Sequence, residues 1–479
     1  MENKPLKIPS AWVSALPLAV LTLLLYVVIR CFGGDAINGG SQIALLSATS
    51  ICVMLAMGIY RCRWSVLEEA IIDNIRASAS AIIILLLIGA IAGTWMVSGV
   101  VPTMIYYGLK ILHPAFFLVA SCVICGVVSL MTGSSWTTIA TIGVALMGIG
   151  QAMGFPEGWV AGAIISGAYF GDKLSLLSDT TVLASSTVGV PIFEHIRYML
   201  YTTVPSFLIA LAVFTVAGFT LAHGGGAHAE RYADALAATF RITPWLLAVP
   251  LLTGLLIARK LPAIVTLFIA VVLACAAMLV FQGEMVARVA EVPSLGFLSG
   301  FKGVLMSCFG PTAIQTGSTQ LNELVATRGM AGMLNTVWLI ICAMCFGGVM
   351  TGSGMLHALT SVFLRFVKRA FPAVASTVGA GIFFNLCTAD QYISIILSGR
   401  LFKDLYARRG LEERLLSRSV EDSATVCSVL IPWNSCGMTQ ATVLGVSTFV
   451  YMPYCIFNIV SPLVSLAVAG IGWKIKRKK

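Results

Sequence analysis

Charge is what this sequence lacks. Only 10% of its 479 residues are Asp, Glu, Lys or Arg, while 58% are hydrophobic. A soluble globular chain carries about 25% charge. So few charges cannot cover the surface of a soluble protein this long, which excludes a soluble enzyme. Histidine is scarce too: there are five, and none has metal-ligand spacing such as HExxH. A cleavable signal peptide is not expected. The first apolar run, 11–29, holds Pro17 and is long enough to remain as a helix.

What the chain has instead is apolar runs of about 20 residues, repeated from end to end. Each can cross a hydrocarbon core of about 30 Å as a helix. Helices satisfy their own backbone groups in lipid, so the expected class is an all-α polytopic membrane protein. The net charge of +10 does not point to nucleic acid, because the basic residues cluster in short loops between apolar runs. The thirteen cysteines are scattered through apolar sequence. The pairs Cys122/Cys125 and Cys342/Cys345 read as packing on one helix face rather than as metal or redox sites.

Spans are expected near 11–29 and 42–60. An amphipathic stretch, 64–76, precedes a third span ending near Ser98. Residues 101–112 read as interfacial. Two shorter runs, 114–131 and 135–150, flank Thr132-Gly133-Ser134-Ser135, which reads as the tip of a re-entrant hairpin. The polar stretch 171–181 then interrupts apolar sequence, as a helix broken near mid-membrane would. A polar segment, 223–242, divides the chain near its midpoint.

The second half echoes the first. Runs 244–258 and 262–281 match the first two spans, and a long connection, 282–329, carries the polar run 312–320. Run 331–352 matches the third span, and 374–387 with Thr388-Ala389-Asp390-Gln391 matches the hairpin. Residues 421–425 are taken to match 178–181, and Asp390 to stand where the first hairpin has Ser135. Interrupted apolar segments in matching places are the signature of a secondary transporter. The organisation expected is a first repeat over 1–222, a polar linker over 223–243 and a second repeat over 244–479. Each repeat has about five transmembrane helices, a re-entrant hairpin and a broken helix. With five crossings per half the repeats are inverted. Twenty-two of the 30 Lys and Arg, Arg418 among them, then fall on the side of the N-terminus and seven on the other, with Lys173 left in the membrane. Both termini are therefore expected in the cytoplasm.

Charges near mid-membrane cost about 2.5–3.5 kcal/mol each on insertion scales. Asp172, Lys173, Asp179, Asp390, Glu421 and Asp422 all lie in or beside interrupted segments, and need partners, water, protons or a cation. Asp179 and Asp422 are the candidates for holding a cation at the repeat interface, with hydroxyls from Ser178, Thr180, Thr181, Ser423 and Thr425. The alternative is that they cap helix breaks or pair with Lys173. Asp390, and also Asp172, are the candidates for carrying a proton. Lys173 and Glu421 are charge-balancing candidates, with a snorkelling lysine and an interfacial Glu421 as the alternatives. Asn434 either binds a ligand or closes a helix end. The stretch 194–197, with His195, reads as a solvated loop, and Gly89/Gly93 as a helix-packing pair.

Residues 171–181, GDKLSLLSDTT, resemble the signature of NhaC-type sodium/proton antiporters. Gly133-Ser134-Ser135-Trp136, Asp390-Gln391-Tyr392-Ile393-Ser394, and Glu421-Asp422-Ser423 with Ile431-Pro432-Trp433-Asn434 agree in order. Leu176 stands where the family often has Pro, and Cys436 and Met438 also depart from it. The resemblance implies inverted repeats, re-entrant hairpins and often elevator motion. It implies sodium/proton exchange, and relatives that exchange organic acids such as malate and lactate.

The expected function is therefore exchange of sodium for protons. Sodium or substrate would be held by Asp179, Asp422, Ser134, Ser135, Thr180, Ser423 and Asn434, and the proton by Asp390 or Asp172. A protonated carboxylate has lost the charge that holds the cation. The alternative is sodium-coupled transport of a small organic acid or amino acid, bound at half-helix N-termini. An ion channel fits the repeats poorly, and no catalytic constellation suggests an enzyme. The expected partners are sodium, protons and the bilayer of a cell inner membrane, with no cofactor, no resident metal, no nucleic acid and room for a homodimer.

Overall fold

The computed structural model describes residues 9–32, 38–221, 225–259, 261–294, 296–312, 314, 322, 325–364 and 370–473. Lys4, Lys7, His223, Lys260, Arg365, Lys368, Arg369, most of the polar run 312–320 and the tail from Lys474 to Lys479 lie outside the described residues. Among the described residues the regular elements are helices, and one isolated antiparallel bridge joins Thr312 to Thr327. Among the described residues, eight helices are long and apolar enough to cross a membrane, or up to ten if each of two bent pairs is one span.

The first half runs α1 (Ala11–Phe32), α2 (Gly40–Gly58), α3 (Trp64–Val97) and α4 (Val100–Ile111). A helical hairpin follows. Its first arm is α5 (Phe117–Thr132), and its second is α6 (Ser135–Thr138), a π turn (Ile139–Gly143) and α7 (Val144–Ala152). Then α8 (Glu157–Leu174) breaks, and the chain resumes as α9 (Asp179–Val188) and α10 (Ile192–Leu221). The expected amphipathic stretch 64–76 is not a separate element. Nothing between Trp64 and Val97 breaks the helix, so it continues into the third span.

The polar segment between the halves is largely helical, as α11 (Gly225–Thr239). After it come α12 (Ala248–Ala258), α13 (Ala263–Phe281), α14 (Gly283–Val289) and α15 (Phe297–Phe309). Next are α16 (Leu334–Gly352) and α17 (Met355–Leu364), and a second hairpin of α18 (Ala370–Thr388) and α19 (Gln391–Arg408). A second interrupted element comprises α20 (Glu413–Val420), a π turn (Glu421–Thr425), a 3-10 turn (Ser428–Leu430) and, after a break, α21 (Ser435–Leu444). The described chain ends with α22 (Thr448–Tyr451) and α23 (Ile456–Ile471).

The exterior is not that of a water-soluble protein. Trp12, Leu23, Val216, Phe219, Leu251 and Phe268 stand on the outer surface, while Ser121, Thr202, Ser206, Asn385, Asn458 and Ser461 are buried. An apolar exterior, over an apolar core that also encloses many polar side chains, suits a hydrocarbon solvent. With no hydrophobic force between helices in lipid, close backbone approach does more of the packing. α5 lies against α8 in this way. A Cβ on Gly167 would sit 2.0 Å from the Cys122 carbonyl oxygen, and one on Gly171 2.1 Å from that of Gly126.

The two hairpins turn alike. α5 ends at Gly133 with φ 68°, and α18 at Ala389 with φ 57°. The next residue, Ser134 or Asp390, is extended and caps the following helix with its side chain. Thr132 Oγ1 meets Thr138 Oγ1 at 3.2 Å, as Thr388 Oγ1 meets Ser394 Oγ at 3.1 Å. Ser129 donates to the Ala168 carbonyl at 2.6 Å, as Asn385 donates to that of Ala424 at 2.7 Å. The broken elements resume at the side-chain caps Ser178 and Asn434 and end at left-handed Gly189 and Gly445. Each pair has one spacing, 256 residues (390 minus 134). This register corrects the one read from the letters. Asp390 matches Ser134 rather than Ser135, Asp179 matches Ser435, and Asp422 matches Ser166. Cap geometry has to match between the halves, whereas residue lettering does not.

Gly167→Val is expected to force α5 off α8 at a cost of about 1–3 kcal/mol or more. It should lower the thermal unfolding midpoint of the detergent-solubilised protein. Gly58→Ala, where the added Cβ meets nothing within 4 Å, should leave that midpoint unchanged.

Candidate functional site

The hairpin tips meet the helix breaks. Asp172 lies in the last turn of α8, and its Oδ2 accepts the Ser135 N–H at 3.1 Å and the Ser135 hydroxyl at 2.7 Å. The first tip therefore leans on the first break. A Cβ at Gly133 would come within 2.6 Å of the Leu177 backbone, so only a glycine lets this tip seat. Ser178 Oγ accepts from the Thr181 N–H at 3.3 Å and meets Thr180 Oγ1 at 3.0 Å. Ser134 Oγ accepts from the Thr137 N–H at 3.2 Å. Asp179 opens α9 and is exposed.

The second half builds the matching arrangement with other residues. Asp390 accepts the Ile393 N–H at 3.0 Å and the Ser435 hydroxyl at 3.2 Å, and the Ser435 N–H reaches the Ala389 carbonyl at 2.7 Å. Ser428 donates to Gln391 Oε1 at 3.3 Å, the counterpart of the Ser135–Asp172 contact. Asn434 caps α21 through Oδ1 and donates to Asn385 Oδ1 at 3.0 Å. The half-buried Tyr392, in the first turn of α19, lies within electrostatic reach of Asp172, Asp179 and Asp390. Tyr392 was not singled out from the sequence, although it sits two residues past Asp390 in a quoted motif.

Asp422 belongs to a different cluster. It pairs with Lys173 across the two halves, and Thr202 and Ser461 donate to its Oδ1 at 3.1 and 3.3 Å. Lys173 also donates to Ser461 Oγ at 3.2 Å. Arg418 Nε lies 3.8 Å from Asp422 Oδ2, with the guanidinium 4.7 Å above the Tyr198 ring. Lys173, Arg418 and Asp422 are all 0% exposed. The pairing of Asp422 with Lys173 is the alternative that the sequence left open; its Oδ1 meets an ammonium and two hydroxyls, while its Oδ2 has no hydrogen-bond partner. Two expectations are corrected here. Arg418 is no loop cation, since it lies one turn before Asp422 on its inward face. His195 is fully buried and bonds Ser417 at 2.9 Å, so 194–197 is not a solvated loop. Ser423 is also turned away, donating to the Ser419 carbonyl at 2.7 Å against Gly381. Among the described residues, no group of three or more His, Cys, Asp or Glu side chains converges to hold a metal.

Residues 167–473 match the model of the Na+/H+ antiporter family. The chain belongs to this family. It is 37% identical to the malate-2H(+)/Na(+)-lactate antiporter of Bacillus subtilis, over 86% of this chain and 85% of that one. It is 35% identical to the Na(+)/H(+) antiporter NhaC of Alkalihalophilus pseudofirmus, over 88% and 89%. It is 33% identical to the arginine/ornithine antiporter ArcD of Halobacterium salinarum, over 99% and 94%.

In this antiporter-family chain a cavity of about 930 Å³ lies away from the tips, lined by residues that include Met96, Met147, Gln151, Glu157, Arg328 and Thr442. None of Asp172, Asp179, Asp390 or Asp422 lines it.

Removing one member of a buried ion pair costs about 3–5 kcal/mol, because the other charge is stranded. The two members of the central pair are not equivalent. Asp422→Asn strands two cations, Lys173 and Arg418, and is expected to cost that full amount. Lys173→Met leaves Asp422 with Arg418 and should cost less, about 1–3 kcal/mol. Thermal unfolding of both variants in detergent checks the order. Equal or reversed losses would show that Arg418 does not share the charge of Asp422.

Proposed function

We propose that the chain is a secondary transporter exchanging sodium for protons across a cell inner membrane, with both termini cytoplasmic. In this reading the halves 1–222 and 244–479 are inverted repeats joined by the linker 223–243, and the two hairpins are re-entrant. The constant spacing between the caps supports this, as does the packing of α2 on α16 and α13 on α3.

The single observation that carries the reading is that each capped hairpin tip meets a helix break, through Asp172 on Ser135 at the first and Asp390 on Ser435 at the second. Asp172 and Asp179 flank the first break, beside the hydroxyls of Ser135, Ser178 and Thr180. Hard oxygen donors with net negative charge suit a small hard cation. A proton on either carboxylate removes the charge that holds sodium, so the two cargoes compete for one place and exchange rather than travel together. Asp390, tied to Ser435, gives the second tip its own carboxylate. The Lys173–Asp422 pair is the internal charge balance that fastens α8 to the second half.

A second reading has an observation of its own. The cavity of about 930 Å³ is far larger than sodium requires, and Arg328 lines it. Pockets for small organic ligands run to about 300–1,000 Å³. Exchange of a small organic acid or amino acid, as the names of two relatives state for those proteins, would use such a space.

The test uses purified protein in proteoliposomes loaded with a pH-sensitive dye. An imposed sodium gradient should drive proton movement at neutral and alkaline pH, and Asp172→Asn and Asp179→Asn should each lower the rate at least about tenfold, equivalent to about 1.4 kcal/mol of barrier. Absence of any sodium-driven proton signal in the wild type would overturn the proposal. Labelled malate, lactate, arginine or ornithine accumulating against a preloaded partner would move the conclusion to the second reading.

A further inference from the structure

Glu421 is a buried titratable group that neither cluster uses. It opens the π turn that continues α20, and its side chain is 0% exposed. Neither carboxylate oxygen has a hydrogen-bond partner, and the Thr425 hydroxyl, four residues on, has none either. By contrast Asp172, Asp390 and Asp422 each accept two or more hydrogen bonds.

The surroundings offer Glu421 little charge to lean on. α8 brings Lys173 and Asp172 within electrostatic reach, and Asp422 lies beside it on its own turn. Lys173 is already committed to Asp422 and Ser461. Arg418, on α20, is directed to Asp422 and the Tyr198 ring. Of the other elements packed on this turn, α18 and α23 carry no charged residue. α9 carries Asp179, and α19 carries Asp390 and Tyr392 in its first turns and Arg400, Lys403, Asp404 and Arg408 further along. His195, from α10, senses Lys173 and Asp422 rather than Glu421. An ionised Glu421 would thus be an anion beside two other carboxylates, with no cation of its own and only the nearby Thr425 hydroxyl as a donor, in a region shielded from water. Burying a bare carboxylate is prohibitively costly, and such a group takes a proton instead. π turns inside α-helices occur frequently at functional sites.

We propose that Glu421 is a proton-binding site separate from the Asp172–Asp179 site. It holds its proton in this conformation and releases it when the π turn is brought to water. The chemistry is simple proton binding: the carboxylate takes a proton from water on one side and returns it on the other. The inference rests on the exchange reading for its role in coupling, but not for its claim about protonation.

Infrared spectroscopy of the wild type in lipid at neutral pH should show the C=O stretch of a buried protonated carboxyl group, and Glu421→Gln should lack that band. In proteoliposomes Glu421→Gln should move fewer protons per sodium than the wild type, and sodium self-exchange, followed with labelled sodium, should lose part of its pH dependence while the competition at Asp172 and Asp179 remains. Glu421→Asp restores a carboxyl group and should recover both the band and the coupling, which separates loss of the proton site from misfolding. An infrared band that persists in Glu421→Gln, or proton coupling in that variant equal to wild type, would overturn the proposal. If the wild type moved no protons with sodium, the exchange reading would fail, while the infrared comparison would still decide whether Glu421 carries a proton.

Discussion

A helix broken inside an apolar slab exposes amide groups that lipid cannot satisfy, and the rest of this structure follows from answering them. Four helices start near the centre of the fold, at Ser134, Ser178, Asp390 and Asn434, and each of these side chains takes an amide of the turn it precedes. An N-cap is ordinarily worth about 1 kcal/mol. In hydrocarbon the alternative is an unmet donor costing several kcal/mol, so the capping residues are fixed by the solvent as much as by function. Once small polar side chains must crowd the centre, oxygen atoms are concentrated there, and a binding site needs little more than a few carboxylates among them.

Much of this was legible in the sequence because interruptions of apolar runs are visible at a glance. Both hairpin tips and both breaks were readable from Thr132-Gly133-Ser134-Ser135, residues 171–181 and their later counterparts. The register between the halves was not. Asp-Ser and Ser-Asp letters at 421–425 and 178–181 look alike, but it is the caps Ser178 and Asn434 that occupy matching geometry. The partner of Asp422 was equally hidden, since Lys173 is 249 residues away in the chain. Arg418 was misplaced because its position near a run of basic residues suggested a loop. Its spacing of four from Asp422 was the available signal that the two share a helix face.

The two halves keep one backbone plan and differ in chemistry. Gly133 is required where the first tip presses on Leu177, yet Ala389 holds the same left-handed turn in the second half. Ser129 and Asn385 make the same bond with different groups. Ser166 stands where Asp422 stands, and accepts from the Phe457 N–H where Asp422 accepts from Thr202 and Lys173. The scaffold repeats because the backbone must be satisfied twice, while charge is placed once. One acidic residue at 422, one basic residue at 173 and one buried arginine tie α8 to the second half, beside the packing of α2 on α16 and α13 on α3, and symmetry would have doubled the cost of burying them.

Charge accounting then limits what the centre can bind. Lys173 and Arg418 face Asp422, so that cluster leans positive by itself. The Asp172 carboxylate meets the first amide of the hairpin's second arm at Ser135, and Asp390 caps the start of α19, so the partial positive charge of a helix N-terminus, about half an elementary charge, offsets part of theirs. With Glu421 neutral, what remains unbalanced is chiefly Asp179, the one carboxylate of the group that is exposed. In the proposed exchange, a centre with a modest negative excess, lodged at its most accessible carboxylate, would attract a small cation and let it go again. A strongly negative centre would hold the ion too tightly to turn over, and a neutral one would not select it, so in that reading the buried cations would serve exchange by keeping the excess small.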